Sequence, residues 1–578
     1  MTLVLKTMCI IIYAVVVCMG LHSEASAPII PAIFYDACLN NMMKTPVSKL
    51  LPRLWLAICI VTILIPLSVI VAALGEFDEE IWTFLLEYQL PELLKNTLLL
   101  VLGVGAGTAI LGTTGAWLTA MYDFPLRRFF FWALMLPLAV PAYVLAFTQI
   151  GLFDYGGPLN EWMRAHYGHE QFFPEIRNGA GLIAVMSLTF YPYVYLLARN
   201  AFSSMGQRAL EAGASLGLSP RRAFFRLALP MARPWIAGGV ILALMEVLAD
   251  FGTVSVFGYD TFTTAIYQAW FDFYSLETAK QLAALLIMLV FVLLAFEQLS
   301  RGNRRFGQSG KAQHHRRKAL SGCRKWLASA YCGLILIFAF LLPLVQLGFW
   351  AYETRNDDFN TTLWLNAWHS FAASLIAAIL VAATALLLAL AKRADKSRFA
   401  AVAARIATLG YGIPGTVLAV GVFVPVAWLD NVLIGYLSLP EETTAIFKGT
   451  LLVMLMAYLI RFLAVGYAAV EAGLERISPS QTEAARSLGC TGAGVLRCIY
   501  LPLLKGALGT AVLMSFVDMM KEMPITLMTR PHDWDTLAVR VYMFTIEGQF
   551  ANAALPALLI VLTGLIPVIL FSRTEQNS

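Results

Sequence analysis

The chain of 578 residues is 59% hydrophobic and only 13% charged, with a formal net charge of +5. Because a soluble domain carries roughly 25% charged residues, the composition excludes an ordinary soluble protein and favours one embedded in lipid. The positive charge lies between long apolar stretches, so it does not indicate nucleic-acid binding.

The N-terminal segment, residues 1–52, differs from the rest of the chain. Lys6, a run of 13 apolar residues and Ala-Ser-Ala at 25–27 imitate a secretory signal peptide. A cleaved signal, or an additional span, would invert every later loop and contradict the charges of those loops. We therefore expect one of two cases: the segment lies on the cytoplasmic side as an interfacial or peripheral helix, or translation starts at Met42 or Met43 and the signal-like stretch is not part of the protein.

Twelve apolar segments follow that are long enough to cross a bilayer, which takes about 20 apolar residues in a helix. The predicted spans are 54–75, 97–119, 131–151, 179–198, 235–257, 281–299, 327–349, 371–391, 406–428, 450–470, 506–528 and 554–572. They divide into a first half at 53–300 and a second half at 327–578, joined by a basic linker at 301–326. The expected fold is an all-α polytopic membrane protein.

The charges of the loops predict their orientation. Residues 199–233 contain six arginines and one acid, and residues 301–325 contain nine basic residues and no acid. Residues 75–96 contain six acids and one lysine. Because short loops rich in Lys and Arg stay in the cytoplasm, this alternation places both termini on the cytoplasmic side.

One pattern of 20 residues occurs twice. The sequence "EAGASLGLSPRRAFFRLALP" starts at Glu211, and "EAARSLGCTGAGVLRCIYLP" starts at Glu483, 272 residues later. Similar offsets relate "PAYVLA" at 141–146 to "PGTVLA" at 414–419, and "DTFTTAIY" at 260–267 to "DTLAVRVY" at 535–542. The chain is therefore predicted to be duplicated. Since each half has an even number of spans, the two six-helix repeats should be parallel, with function located between them.

Each copy of the pattern predicts a helix–turn–helix elbow in a cytoplasmic loop. A glycine ends the first helix in a left-handed turn, Ser219 or Thr491 caps the second helix, and a Leu-Pro pair ends the elbow before the next span. A single copy would be compatible with a surface helix that packs on its own domain. Two copies with the same internal spacing favour a docking element for a two-fold symmetric partner.

These elbows resemble the EAA loop of the permeases of binding-protein-dependent ABC importers. The stretches "LPLAVPAYVLAF", "ADFGTVSVFG", "KEMPITLMTRP" and "DTLAVRVY" further resemble the fused ferric-iron permeases of that family, although Met523 and Ile525 stand where the family more often has Leu and Ala. The resemblance covers both halves. It implies a pore subunit in the bacterial inner membrane, two copies of a separate ABC ATPase, a periplasmic binding protein, and ferric iron as cargo.

The resemblance also implies which residues dock the ATPase subunit. They are Glu211, Ala212, Gly217, Leu229 and Pro230 in the first elbow, and Glu483, Ala484, Gly489, Leu501 and Pro502 in the second. Docking is not implied for the similar string "EAGLE" at Glu471, because Ile477 stands where the pattern requires glycine.

Four acids lie at matching positions inside two spans. Glu246 and Asp250 belong to the fifth predicted span, and Asp518 and Glu522 to the eleventh. Ionisable groups in spans normally face the bundle interior or a water-filled path, and hard cations prefer carboxylate oxygens. The four acids are therefore candidates for the lining of a translocation path. The alternative is a structural role, in which Lys521 pairs with Asp518 or with an acid of the fifth span.

The sequence has no motif for a nucleotide, cofactor or metal of its own. The string "GQSGKA" at 307–312 lacks the spacing of a phosphate-binding loop, and "GVGAGTAILG" at 103–112 lies in a span, where it indicates close helix packing. The eight cysteines include no CxxC pair. The protein is thus predicted not to be an enzyme. The remaining alternatives are a fused permease for thiamine, a polyamine or phosphonate, and, in another class, an ion-coupled secondary transporter.

Overall fold

The computed structural model describes residues 47–75, 83, 85–168, 175–204, 215, 218–301, 317–358, 360–438, 440, 445–488 and 492–576. Eleven of the helices in these ranges are long and apolar enough to cross a membrane, and one bent pair of helices makes twelve. Spans 1 to 12 are Leu50–Gly75, Leu86–Met121, the pair Arg127–Ala139 and Ala142–Tyr167, Gly179–Ser204, Phe224–Ala249, Leu276–Leu293, Cys323–Glu353, Thr361–Ala394, Gly415–Tyr436, Leu451–Glu475, Leu496–Met520 and Phe550–Ile569. The predicted fold class is confirmed, whereas the signal-like stretch lies outside the described residues.

Short helical elements connect the spans or lie within them. Helices occur at Pro158–Tyr167, Pro220–Ala223, Gly252–Phe257, Phe262–Phe271, Arg355–Asp358, Arg398–Ala407, Pro479–Ser487, Gly492–Val495, Pro524–Thr529 and Leu537–Ile546. Turns of 3₁₀ helix lie at Ala73–Gly75, Leu136–Ala139 and Leu409–Gly412, and π-helical turns at Leu85–Gln89, Phe224–Ala228, Ile337–Leu341 and Leu496–Tyr500. Two short strands, Tyr122–Asp123 and Lys318–Ala319, pair in parallel and attach the end of the linker to the first half.

Glycines let spans 2 and 4 approach each other closely. A Cβ atom at Gly103 would lie 2.6 Å from Ile183 Cδ1, and one at Gly112 would lie 2.6 Å from Val194 Cβ. Helices in lipid associate largely through such small residues, because apolar surface alone gives no preference for protein over lipid. The glycine-rich stretch at 103–112 therefore packs helices, as its sequence indicates.

Prolines and acids interrupt four of the predicted spans. Span 3 bends by 95°, and Pro141 stands at the bend in an extended conformation, with φ −58° and ψ 145°. Pro414, with φ −55° and ψ 143°, precedes span 9 in the same way. A proline has no N–H for the helical ladder, so each helix starts after it, and the predicted span 406–428 begins too early.

The other two interruptions lie at the ends of spans 5 and 11. Span 5 ends at Ala249, and the helix Gly252–Phe257 starts after a break of two residues, here called the first break. Span 11 ends at Met520, and Pro524–Thr529 starts after the second break, residues 521–523. The predictions of continuous helices over 235–257 and 506–528 were therefore wrong at these points.

The two halves exchange their first spans. Span 1 packs against spans 8 and 9 of the second half, and its Arg53 Nε lies 2.7 Å from Asp395 Oδ2. Span 7 packs against span 12 and also against helices of the first half, where Gln149 Nε2 donates to Phe338 O at 2.7 Å. As a result, one buried core combines spans 1, 6 and 8 to 11, and the other combines spans 2 to 5, 7 and 12.

Candidate functional site

The second elbow is largely described and exposes its acidic residue. Glu483 and Ala484 lie on the helix Pro479–Ser487, and both are exposed. Gly489 lies outside the described residues. The chain becomes helical again at Gly492–Val495 and remains helical through a π-helical turn into Leu501–Met520. Leu501 and Pro502 therefore lie inside a continuous helix, and the prediction that they end the elbow was wrong.

The first elbow has the same exit. Glu211, Ala212 and Gly217 lie outside the described residues, whereas Leu229 and Pro230 begin the long helix Leu229–Ala249 directly after a π-helical turn. A proline ring needs extra room and leaves one backbone carbonyl without its usual N–H partner. The wider turn before each proline absorbs this defect, so the helix continues without a stop.

The end of span 8 holds the second elbow in place. Arg393 Nη1 and Nη2 donate to the carbonyl oxygens of Leu474 and Ile477, both at 2.7 Å. These carbonyls end span 10 just before the elbow helix. The neighbouring Lys392 forms an ion pair with Glu471. Glu471, which starts the string that lacks the elbow glycine, therefore has a partner within the chain.

A cavity of about 130 Å³ lies between the two halves. It brings together all four acids that the sequence singled out. Its lining from the first half includes Pro137, Pro141, Tyr143, Thr189, Phe190, Tyr193, Glu246, Ala249, Asp250 and Gly252, and from the second half Tyr411, Arg461, Phe462, Asp518, Lys521, Glu522, Met523 and Pro524. In the described part of the chain, no three His, Cys, Asp or Glu side chains are grouped so that they could hold a metal ion.

Two of the acids start the helices that follow the breaks. Asp250 Oδ1 accepts from the Thr253 amide at 2.8 Å, and Asp250 Oδ2 accepts from the Thr253 hydroxyl at 2.8 Å. Glu522 Oε1 accepts from the Ile525 amide at 3.0 Å, and Glu522 Oε2 accepts from the Thr526 amide at 3.2 Å. Carboxylates satisfy the free N–H groups and the positive dipole end of a helix. Each acid therefore has a structural function as a helix cap.

The other two acids have different partners. The Tyr411 hydroxyl donates to Glu246 Oε1 at 2.9 Å, and the Tyr193 hydroxyl lies beside the same carboxylate. Asp518 Oδ1 lies 3.0 Å from Lys521 Nζ. The pairing of Lys521 with Asp518, which the sequence left open, is thus present in the structure.

Among the described cavity residues that sequence reasoning missed are two with unpartnered polar atoms. Arg461 of span 10 places Nη1 3.8 Å from Glu522 Oε1, and this nitrogen has no hydrogen-bond partner among the described residues. Gly415 provides the space, since a Cβ there would collide with the guanidinium. An arginine inside an apolar run is a recognisable signal. Tyr143, whose buried hydroxyl also lacks a described partner, carries no such signal in the sequence.

The fold and the cavity define a class of protein. Two interlocked helical halves, a polar cavity between them and an exposed elbow at one end are the features of a membrane transport protein. Residues 109–298 match the family of the binding-protein-dependent transport system inner membrane component.

Known relatives extend the match. An Fe(3+)-transport system permease protein of Haemophilus influenzae is 28% identical over 534 residues, which cover 90% of this chain and 98% of the relative. A ferric transport system permease protein of Actinobacillus pleuropneumoniae is 24% identical over 72% of this chain and 60% of its own length. A sulfate transport system permease protein of Escherichia coli is 27% identical over 34% of this chain and 70% of its own length. The chain is thus similar, over nine-tenths of its length, to a permease subunit of a transport system, and its first half carries the match to the binding-protein-dependent family.

Proposed function

We propose that the protein is the pore subunit of an importer that moves ferric iron, delivered by a periplasmic binding protein, across the bacterial inner membrane. The main support is the cavity between the halves, because the described residues that line it include four acids and only two bases. A net negative lining favours a hard, highly charged cation over an anion. The two ferric permeases among the relatives, one matched along 98% of its length, point to the same cargo.

The proposed energy source is a separate ABC ATPase, of which two copies dock at the two elbows. The exposed Glu483 on its short helix supports this arrangement. Both termini and the linker 301–326 would then face the cytoplasm, on the same side as the elbows. The halves 53–300 and 327–578 would act as the two moving units, each with its own elbow.

Uptake measurements test the cargo. The chain is produced with its ATPase and binding protein in cells that lack other ferric uptake systems, and uptake of labelled ferric ion, thiamine, spermidine and phosphonate is compared. Only ferric uptake should depend on ATP. ATP-dependent uptake of one of the other solutes, without ferric uptake, would replace the proposed cargo by that solute.

The elbows are tested in the same cells. The double variant Glu211→Ala, Glu483→Ala should lose at least about tenfold in uptake, the effect of about 1.4 kcal/mol of lost docking energy, and the ATPase should no longer co-purify. Glu475→Ala removes an exposed acid shortly before the second elbow and serves as the matched control. Unchanged uptake and co-purification in the double variant would contradict the docking role.

A further inference from the structure

The two walls of the cavity between the halves differ in charge. Among the described lining residues, the first half contributes Glu246 and Asp250 and no base. The second half contributes Asp518 and Glu522 together with Arg461 and Lys521. The acids are related by the repeat offset of 272 residues, but the bases are not repeated. The whole negative excess of the lining therefore belongs to the first half.

The positions that correspond to the two bases are neutral. At the offset of 272 residues, Lys521 corresponds to Ala249 and Arg461 corresponds to Thr189. Both neutral residues line the same cavity, so the difference concerns one space and not two separate surfaces. The first wall therefore has positions equivalent to those of the two bases, but both are occupied by uncharged residues.

The contacts of the acids show the same difference. Lys521 Nζ is in direct contact with Asp518 at 3.0 Å, although it also lies within electrostatic range of Glu246. Glu246 itself accepts a hydrogen bond from the neutral hydroxyl of Tyr411. A neutral donor solvates a carboxylate without cancelling its charge, whereas an ammonium ion cancels it. The field of Glu246 therefore remains available to a mobile cation.

A buried hydroxyl provides a second, independent observation. Tyr143 of the first half is only 6% exposed and lines the cavity, yet its hydroxyl has no hydrogen-bond partner among the described residues. It lies within electrostatic range of both Asp250 and Glu522. A buried hydroxyl without a partner costs free energy, and here it faces the space that a hydrated cation would occupy.

We propose that cation passage through the cavity is asymmetric: the cation moves along the wall of the first half, next to Glu246, Asp250 and the Tyr143 hydroxyl, while Arg461 and Lys521 keep it from the opposite wall. This inference rests on the proposed function, since it assumes that the cargo is cationic. It also assigns a role in specificity to Arg461 and Lys521, because their fixed positive charges repel a cation from the second wall.

The repeat supplies the test. Ala249→Lys places on the first wall the base that the second wall has, three residues after Glu246 as Lys521 follows Asp518. Ala249→Met has a side chain of similar length without charge and is the matched control. Ferric uptake by Ala249→Lys should fall at least about tenfold below that of Ala249→Met, because a fixed charge acts strongly at short range in a poorly solvated space. Equal uptake by the two variants would overturn the proposal.

A second pair of variants covers the case that Ala249→Lys fails to assemble. Glu246→Gln removes charge from the first wall, and Asp518→Asn with Lys521→Met removes an ion pair from the second wall without changing its net charge. Ferric uptake should be at least about tenfold lower for Glu246→Gln than for the pair variant. ATPase co-purification and monodispersity serve as readouts of assembly.

The outcomes separate this inference from the proposed function. Equal losses of ferric uptake on both walls would overturn the asymmetry and leave a cation path through the cavity. No loss on either wall would overturn the asymmetry and the path together. If the unmodified chain imports an anion, the proposed function fails first, and Ala249→Lys should then raise uptake instead of lowering it, which would also contradict the proposed cation path.

Discussion

The first and second breaks are built alike but carry different charges. In both, a long span ends, an acid follows, and two residues after the acid a short helix starts whose amides the acid caps. Only the second break contains a base, Lys521, and the other base of the cavity lining, Arg461, also belongs to the second half. The comparison suggests that the caps are needed for the fold in both halves, whereas the bases are free to differ because no helix depends on them.

The two capping acids, Asp250 and Glu522, therefore differ in how much the fold should depend on them. Asp250 balances a helix end with backbone and hydroxyl partners alone. Glu522 caps a helix and also lies closest to Arg461, whose Nη1 is 3.8 Å away. An acid with a buried cationic neighbour should matter more for assembly than one without. The predictions below use this contrast.

The largest effect is expected at the cap beside Arg461. Glu522→Ala removes the cap, worth about 1 kcal/mol, and leaves a buried arginine without its nearby acid, a loss of about 3–5 kcal/mol. Asp250→Ala removes only a cap and should cost about 1–2 kcal/mol. The yield of monodisperse protein and the midpoint of thermal aggregation in detergent measure the difference.

A rescue variant tests the cause of that effect. Arg461→Met in the Glu522→Ala background should recover most of the lost thermal midpoint, since it removes the unbalanced charge and leaves only the missing cap. Equal damage from Glu522→Ala and Asp250→Ala, with no rescue, would show that Arg461 does not depend on this acid.

A smaller effect is expected at the other two acids. Asp518→Asn leaves Lys521, whose side chain is 29% exposed, without its partner at 3.0 Å and should cost about 1 kcal/mol, the upper end of the range for ion pairs near solvent. Glu246→Gln keeps an oxygen that can accept from Tyr411 and should cost less than about 1 kcal/mol. Thermal midpoints of the two variants, measured in the same detergent, give the comparison.

The control for this pair is Lys521→Met added to Asp518→Asn, which should restore the midpoint. Asp518→Asn should thus lower stability more than Glu246→Gln does. For ferric uptake we expect the larger loss from Glu246→Gln, because Glu246 belongs to the first wall. If Glu246→Gln proved the more destabilising of the two, Glu246 would be structural, and its availability to a cation would be contradicted.

Much of the fold could be predicted from the sequence, since long apolar runs and their charged loops define the spans directly. The breaks could not, because apolar residues continue through "FGTVSVF" at 251–257 and hide the end of span 5. The exchange of the first spans has no local signal at all, as it depends on contacts between residues hundreds of positions apart.

The candidate site was predicted in part for similar reasons. Repetition marks Glu246, Asp250, Asp518 and Glu522, so comparison of the halves finds them. Arg461 has no counterpart in the first half and was therefore invisible to an argument from repetition. The role of Asp250 and Glu522 as caps depends on short helices that only the structure reveals.

The smallest effect on thermal stability is expected at the polar contacts that attach spans 1 and 7 to the opposite halves. Span 1 is attached to the second half by the Arg53–Asp395 ion pair at 2.7 Å, whose side chains are 30% and 6% exposed. Span 7 begins with a neutral contact instead, in which the Ser329 hydroxyl donates to Pro125 O at 2.8 Å. Ion pairs near a surface contribute about 0–1 kcal/mol, so Asp395→Asn should lower the thermal midpoint only slightly at neutral pH.

The pH dependence distinguishes this ion pair from the neutral contact of span 7. Burial raises the pKa of Asp395, but the hydrogen bonds from Arg53 and Ser397 and the charge of Arg53 lower it more, so the pKa lies below its ordinary value. A carboxyl with a depressed pKa stabilises the fold above its unfolded pKa of about 3.9, and the contribution is lost as the pH falls through the folded value. The difference in thermal midpoint between the unmodified chain and Asp395→Asn should therefore be constant from pH 7 to about 5 and shrink below about 4. Ser329→Ala should show a difference that does not change over this range, and a parallel pH response of the two variants would contradict the assigned role of the ion pair.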